Sequence, residues 1–327
     1  MQSEHKSANG KSMEEKGERE ASELQKNISD IFQILRDKAT IAISLEQYRA
    51  AFEAFSDLVE QPVDGNVQAL TIGELEAEWV IPDNAMPGRA ILYFHSGTYL
   101  CGSPTTDRAA VARLAELSRT RVLQIDYRLA PEHPFPAALE DGVAAYHWLL
   151  SQGYASQQIG LVGAGAGGGL VLGVLQSLRE QAIPLPVVVA CFSPLLDLTS
   201  ASLRAKAHVA TDIVLSSSLL EFAASHYCQP GAVSNPRVSP LYAESLHGFT
   251  PLLLIVGQNE LLHDDLQQFE ARARSQGVRT HGVTWGEMYH GWQLFPQACK
   301  CADLALDQVA AYFDKYFKRG RQQVLPG

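Results

Sequence analysis

Five short runs in this chain are apolar almost from end to end: Ala90–Phe94, Val122–Ile125, Ile159–Val162, Val187–Phe192 and Leu252–Val256. Each is bounded by turn residues, and helix-like stretches separate most of them. A strand with one wet face alternates polar and apolar residues; a strand covered on both faces does not. Covered strands alternating with helices predict an α/β fold whose central sheet is mostly parallel and flanked by helices. With 46% hydrophobic residues in 327, the chain has enough apolar material for a large core of this kind.

Other segments depart from that rhythm. From Glu74 to Trp79, Leu75, Ala77 and Trp79 alternate with Glu74, Glu76 and Glu78, the pattern of a half-buried strand. Upstream, Ile28, Ile31, Phe32, Leu35 and Ala39 recur at helical spacing, as do Leu45, Tyr48, Phe52, Phe55 and Val59. Ser44 and Gln47 stand where a capping box would start the second of these helices. From Thr199 to Thr250 the strand–helix rhythm stops. A helix is expected around Ser216–His226, followed by an irregular stretch rich in Pro and Ser.

The expected organisation is a disordered tail at 1–26, N-terminal lid helices at 27–60, core at 61–198, a lid insertion at 199–250, and the rest of the core at 251–320. The tail carries eleven charged residues and no aromatic, a composition that cannot pay for ordering.

Charge and cysteine content narrow the function. Net charge is −10 and no basic cluster is present, so a nucleic-acid partner is not expected. No run approaches the roughly 18 apolar residues that span a bilayer, and no membrane partner is expected. The five cysteines, Cys101, Cys191, Cys228, Cys299 and Cys301, are odd in number and irregularly spaced. They read as reduced thiols in a cytoplasmic protein. His147, His263 and His281 lack paired ligand spacing, so neither a metal nor another cofactor is expected.

Three stretches together resemble the hormone-sensitive-lipase-like family of bacterial carboxylesterases. YFHSGTYLCGS (93–103) is similar to that family's oxyanion loop, normally HGGG followed by an aromatic. DYRLAPEHPFPAALEDG (126–142) matches a distinctive family segment almost completely, and GAGAGGGL (163–170) falls at its GDSAGG elbow. SPLY (239–242), GQNELLHDD (257–265) and YHGW (289–292) then follow in the order expected for the acid and histidine loops. The resemblance covers residues 25–318 and implies an α/β-hydrolase fold, with a helical lid made from the N-terminal helices and the insertion. It also implies pairing of two copies through a sheet edge.

Such a site needs a nucleophile, a histidine base, an acid that orients the histidine, and backbone donors for an oxyanion. The residue matching the nucleophile is Gly165, and Ala164 matches the preceding aspartate. Glycine tolerates the strained turn while supplying no reactive atom. His290 matches the base. His247, in a His-Gly-Phe tripeptide, looks similar but precedes the acid loop, against the chain order of the fold. The acid position falls on Asn259, judged by its distance from Gly257; counting back from Asp264 places it on Glu260 instead. The oxyanion loop keeps His95 and Gly97, has Ser96 and Thr98 in place of glycines, and is completed by the amide of Ala166. His95, Tyr99, Tyr289 and Trp292 are expected to line the pocket, the aromatics being otherwise part of the core. Cys101 is expected to be a buried thiol, and Arg128, Glu132 and His133 to fix loops.

These readings exclude an acyl-serine at 165. The leading expectation is a lyase, cyclase or isomerase in which His290 is general acid/base and the oxyanion loop polarises a carbonyl. The alternatives are a non-catalytic binding protein and a degenerate carboxylesterase. In each case the ligand is a small carbonyl compound, ester or acid.

Overall fold

The computed structural model describes residues 44–54, 66–199, 212–286 and 288–324. The tail and the helix expected at 28–39 lie outside them. Eight strands form one sheet: β1 (Asn66–Ile72), β2 (Leu75–Ile81), β3 (Ala90–Phe94), β4 (Arg121–Ile125), β5 (Ile159–Ala164), β6 (Val188–Phe192), β7 (Leu252–Gly257) and β8 (Thr280–Trp285). Their spatial order is β1-β2-β4-β3-β5-β6-β7-β8. The β1–β2 and β2–β4 pairs are antiparallel and all others parallel. The apolar runs form β3 to β7, and every residue of β3, β5, β6 and β7 is buried.

The helices are α1 (Leu45–Glu53), α2 (Pro104–Ser118), α3 (Ala137–Ser151), α4 (Ala166–Glu180), α5 (Ser217–Tyr227), α6 (His263–Ser275) and α7 (Lys300–Val324). Ser44 caps α1 by accepting from the Gln47 amide at 3.2 Å. Ser216 caps α5 through Leu219, also at 3.2 Å. The irregular stretch after α5 contains two short 3₁₀ turns, Pro230–Ala232 and Pro240–Tyr242.

One local expectation is corrected. Glu78 faces the interior, not solvent. The Arg108 guanidinium donates to both its carboxylate oxygens at 2.9 and 2.8 Å, and Gln124 donates at 2.8 Å. A buried carboxylate is tolerable when so fully bonded. The edge strands β1 and β8, unforeseen from periodicity, carry exposed positions and mixed sequences, NVQALTI and THGVTW.

Arg49 anchors helix α1 at several points. Arg49 donates to the carbonyls of Leu100 (2.6 Å) and Ala130 (2.9 Å) and makes a bidentate pair with Glu132 (2.7 and 2.6 Å). Arg128 in turn holds Asp141. The distinctive 126–142 segment therefore ties the first helix to the loop after β3. No helix among the described residues is long and apolar enough to cross a membrane.

Candidate active site

The turn between β5 and α4 has Gly165 at its apex, with φ 54° and ψ −117°. The Gly165 amide donates to Phe192 O at 2.9 Å, and its carbonyl accepts from Leu195 N (2.9 Å) and Gly169 N (3.1 Å). The apex is thus fixed on both sides in a conformation unfavourable for residues with a Cβ. A Cβ placed there would lie 3.2 Å from His290 Nε2 and 3.8 Å from Ser96 Cβ. The imidazole edge borders the space a side chain at 165 would need.

On the facing loop, His290 Nδ1 lies 2.9 Å from Glu260 Oε2. A carboxylate only accepts, so Nδ1 carries the proton and Nε2 of the neutral ring is left to accept one. The other oxygen of Glu260 is held by the Gly257 amide (2.6 Å) and the Ser193 hydroxyl (2.8 Å). Of the two candidates for the acid, Asn259 and Glu260, the structure therefore places Glu260 on His290. The single turn after β7, closed by Glu260 N to Gly257 O at 3.4 Å, folds Glu260 back under the strand end, whereas Asn259 is exposed. Burial alone would push the His290 imidazolium down. The bond to Glu260 and the charges of Glu260 and Asp212 outweigh it, and hold His290 above the ordinary imidazole value. His247 lies elsewhere, exposed and near the Gln276 carbonyl.

The loop after β3 supplies the third part. Gly97 has φ 125°, and a Cβ on it would fall 1.9 Å from Cys101 O, so only glycine fits. Thr98 and Tyr99 follow at φ 56° and 65°, left-handed positions that cost residues with side chains on the order of 1 kcal/mol each. Ser96 is pinned by Asp107, its amide donating at 3.1 Å and its hydroxyl at 3.0 Å. Burial pushes the Asp107 carboxyl up to about 6 despite these donors and those of Tyr93 and Thr106. Among the described residues, the amides of Gly97, Thr98 and Ala166 have no acceptor. Ala166 is the first residue of α4, where an amide has no intrahelical partner.

Ser96, Gly97, Thr98, Gly165, Ala166 and His290 line one cleft, which holds about 590 Å³ of space between atoms, counting the part open to solvent. Its walls are apolar: Tyr48 and Phe52 from α1; Val214, Leu215, Leu219 and Leu220 from the insertion; and Leu195, Leu262 and Leu294 from the core. Both segments assigned to the lid therefore contribute to it.

The four residues expected to line the pocket do not. His95 is buried, stacked on Tyr127 with ring centroids 3.9 Å apart, and burial lowers it to about 4. Tyr99 turns inward to stack on Tyr227 at 3.8 Å. Trp292 packs on Trp285 at 5.2 Å, and Tyr289 is half-buried outside the cavity. Cys101 is buried, its thiol donating to Gly97 O at 3.1 Å and its acidity suppressed by burial. Among the described residues no group of three or more His, Cys, Asp or Glu could hold a metal.

Residues 91–294 match the model of a family described by its α/β-hydrolase fold. An acetyl-hydrolase of Streptomyces hygroscopicus is 38% identical over 265 residues, covering 81% of this chain and 87% of that protein. An esterase of Acinetobacter venetianus is 34% identical, covering 71% and 77%. Among solved structures, an esterase of the bacterial hormone-sensitive lipase family superposes with a TM-score of 0.84 at 33% identity, covering 90% of this chain and 98% of that one. An esterase/lipase from an uncultured bacterium gives 0.81 at 36% identity, covering 88% and 98%.

These relatives overturn the expectation of a lyase, cyclase or isomerase. They are named as an acetyl-hydrolase, esterases and an esterase/lipase.

Proposed function

This chain belongs to the α/β-hydrolase fold family of hormone-sensitive-lipase-like bacterial esterases, and from that premise we propose that it is a degenerate carboxylesterase: it binds a short-chain carboxylic ester and hydrolyses it slowly, through water, without an acyl-serine. The observation that carries this reading is the Glu260–His290 bond of 2.9 Å, which leaves His290 Nε2 beside an apex that bears no side chain.

The ester's apolar groups pack against Phe52, Leu215, Leu219 and Leu262, and its carbonyl oxygen turns to the amides of Gly97, Thr98 and Ala166. Water occupies the space that a serine side chain would fill. Nε2 takes a proton from it as its oxygen attacks the carbonyl carbon, and Glu260 stabilises the imidazolium. The tetrahedral intermediate then expels the alcohol oxygen, which receives that proton from Nε2, giving acid and alcohol. The apolar walls favour an ester with apolar groups, and the acetyl-hydrolase relative favours a short acyl group.

Hydrolysis of p-nitrophenyl butyrate by the purified protein and by its His290→Ala variant tests this. A general base contributes typically 10²–10⁴-fold, so the unsubstituted protein is expected to be faster by about 10²-fold. Equal rates in the two would overturn hydrolysis and leave a cavity that holds esters intact.

A further inference from the structure

The triad logic of base and orienting acid does not use Asp212, yet this residue is buried and its carboxylate holds the residue next to Glu260. It lies at the start of the described insertion, just before α5. Its Oδ1 accepts from the amides of Val214 and Leu215, both at 2.9 Å. Its Oδ2 accepts at 2.9 Å from the amide of Leu261, the residue after Glu260. Val214 and Leu215 form part of the cavity wall. One carboxylate therefore joins the cavity wall to the loop that holds the acid.

We infer that Asp212 is a positioning residue of the reaction: through Leu261 it fixes the loop carrying Glu260, and through space it gives the imidazolium formed at His290 a second negative charge. The inference rests on the hydrolytic reading only in calling His290 the base; the linkage itself is a property of the folded chain. Among the described residues, the charged groups acting on His290 are Glu260 from the acid loop and Asp212 from the insertion. Acting on Asp212 are His290, which favours its ionised form, and Glu260, which opposes it. Burial pushes the Asp212 carboxyl up, while His290 and the donated amides of Leu215 and Leu261 pull against it. The arrangement makes the basicity of His290 depend on how the insertion is seated. A substrate that holds Val214 and Leu215 in place thereby also holds the catalytic base.

The test is Asp212→Asn, read by NMR titration of the His290 ring nitrogens. An amide oxygen can still accept from Val214 and Leu215, but the amide NH₂ would face the Leu261 N–H, and the charge is gone. The midpoint of His290 is expected to fall by about one pH unit, and Asp212→Glu, which keeps the charge, to recover most of it. An unchanged midpoint in the folded Asn variant would overturn the inference. A second measurement requires no variant: in the unsubstituted protein, the Leu261 amide and the His290 ring should share an inflection as pH is varied. Independent titrations of the two would also overturn it. Neither readout involves turnover, so loss of the hydrolytic reading and loss of this inference are separable.

Discussion

The two sides of the cavity floor are built to different degrees. On the β7 side, His290 has a buried carboxylate partner at 2.9 Å, and that carboxylate has two further donors of its own. On the β5 side, the apex keeps the backbone bonds and dihedral angles of a strained turn but ends in a hydrogen atom. Removing one partner of a buried hydrogen bond leaves the other unsatisfied, which typically costs about 1–3 kcal/mol and more where that group is charged. The base side is therefore secured by the stability of the fold whether or not it turns over substrate. The apex side carries no such penalty, since glycine suits φ 54° better than serine does. The two halves of a hydrolytic site can thus be lost at very different cost.

The largest test of that contrast is Gly165→Ser. Loss of the seryl nucleophile in a triad enzyme costs about 10⁶ in kcat. Restoring the hydroxyl is expected to raise hydrolysis of p-nitrophenyl butyrate by about 10³-fold or more, even with imperfect geometry. It should also lower stability by about 1–3 kcal/mol in a denaturant melt, because the strained dihedrals now belong to a residue with a Cβ. With Cβ 3.2 Å from Nε2, the ring must retreat by a few tenths of an ångström. No gain in rate would mean that the base side is less complete than its contacts suggest.

Glu260→Gln attacks the other half. One amide oxygen cannot serve Gly257, Ser193 and His290 as two carboxylate oxygens do, and the counter-charge to imidazolium is lost. Steady-state rates should fall by about 10²-fold, whereas Asn259→Ala should leave them unchanged.

The smallest effect is in pH. The base acts only when neutral, so hydrolysis should rise with pH, half of the rise lying above the ordinary imidazole value of about 6.5. Stability runs the other way. His290 binds its proton more tightly folded than unfolded, so its contribution is full below about pH 6.5 and is lost as pH rises through the folded value. The thermal midpoint of the unsubstituted protein relative to His290→Ala should decline across that window.

Much of the fold was legible because buried parallel strands leave no polar alternation: the five runs became β3 to β7. β1 and β8 were not, since edge strands are half wet and read as neither pattern. His290 and the bare apex were legible from chain order. The choice between Asn259 and Glu260 was not, because one residue of register in a turn reverses which side chain faces inward. Tyr99 and Trp292 flank the motifs, but sequence adjacency does not give direction; a left-handed Tyr99 points its ring away from the cavity. Ser193 and Asp212 carried no motif at all. They support Glu260 and its loop only through contacts between distant segments.

Mass spectrometry of the protein and its peptides, quenched during turnover of p-nitrophenyl butyrate, distinguishes attack by water from a covalent acyl-enzyme. An unmodified chain is expected for the unsubstituted protein and a butyryl adduct on residue 165 for Gly165→Ser. A butyryl adduct on the unsubstituted chain, on Ser96 or any other residue within the cavity, would contradict attack by water.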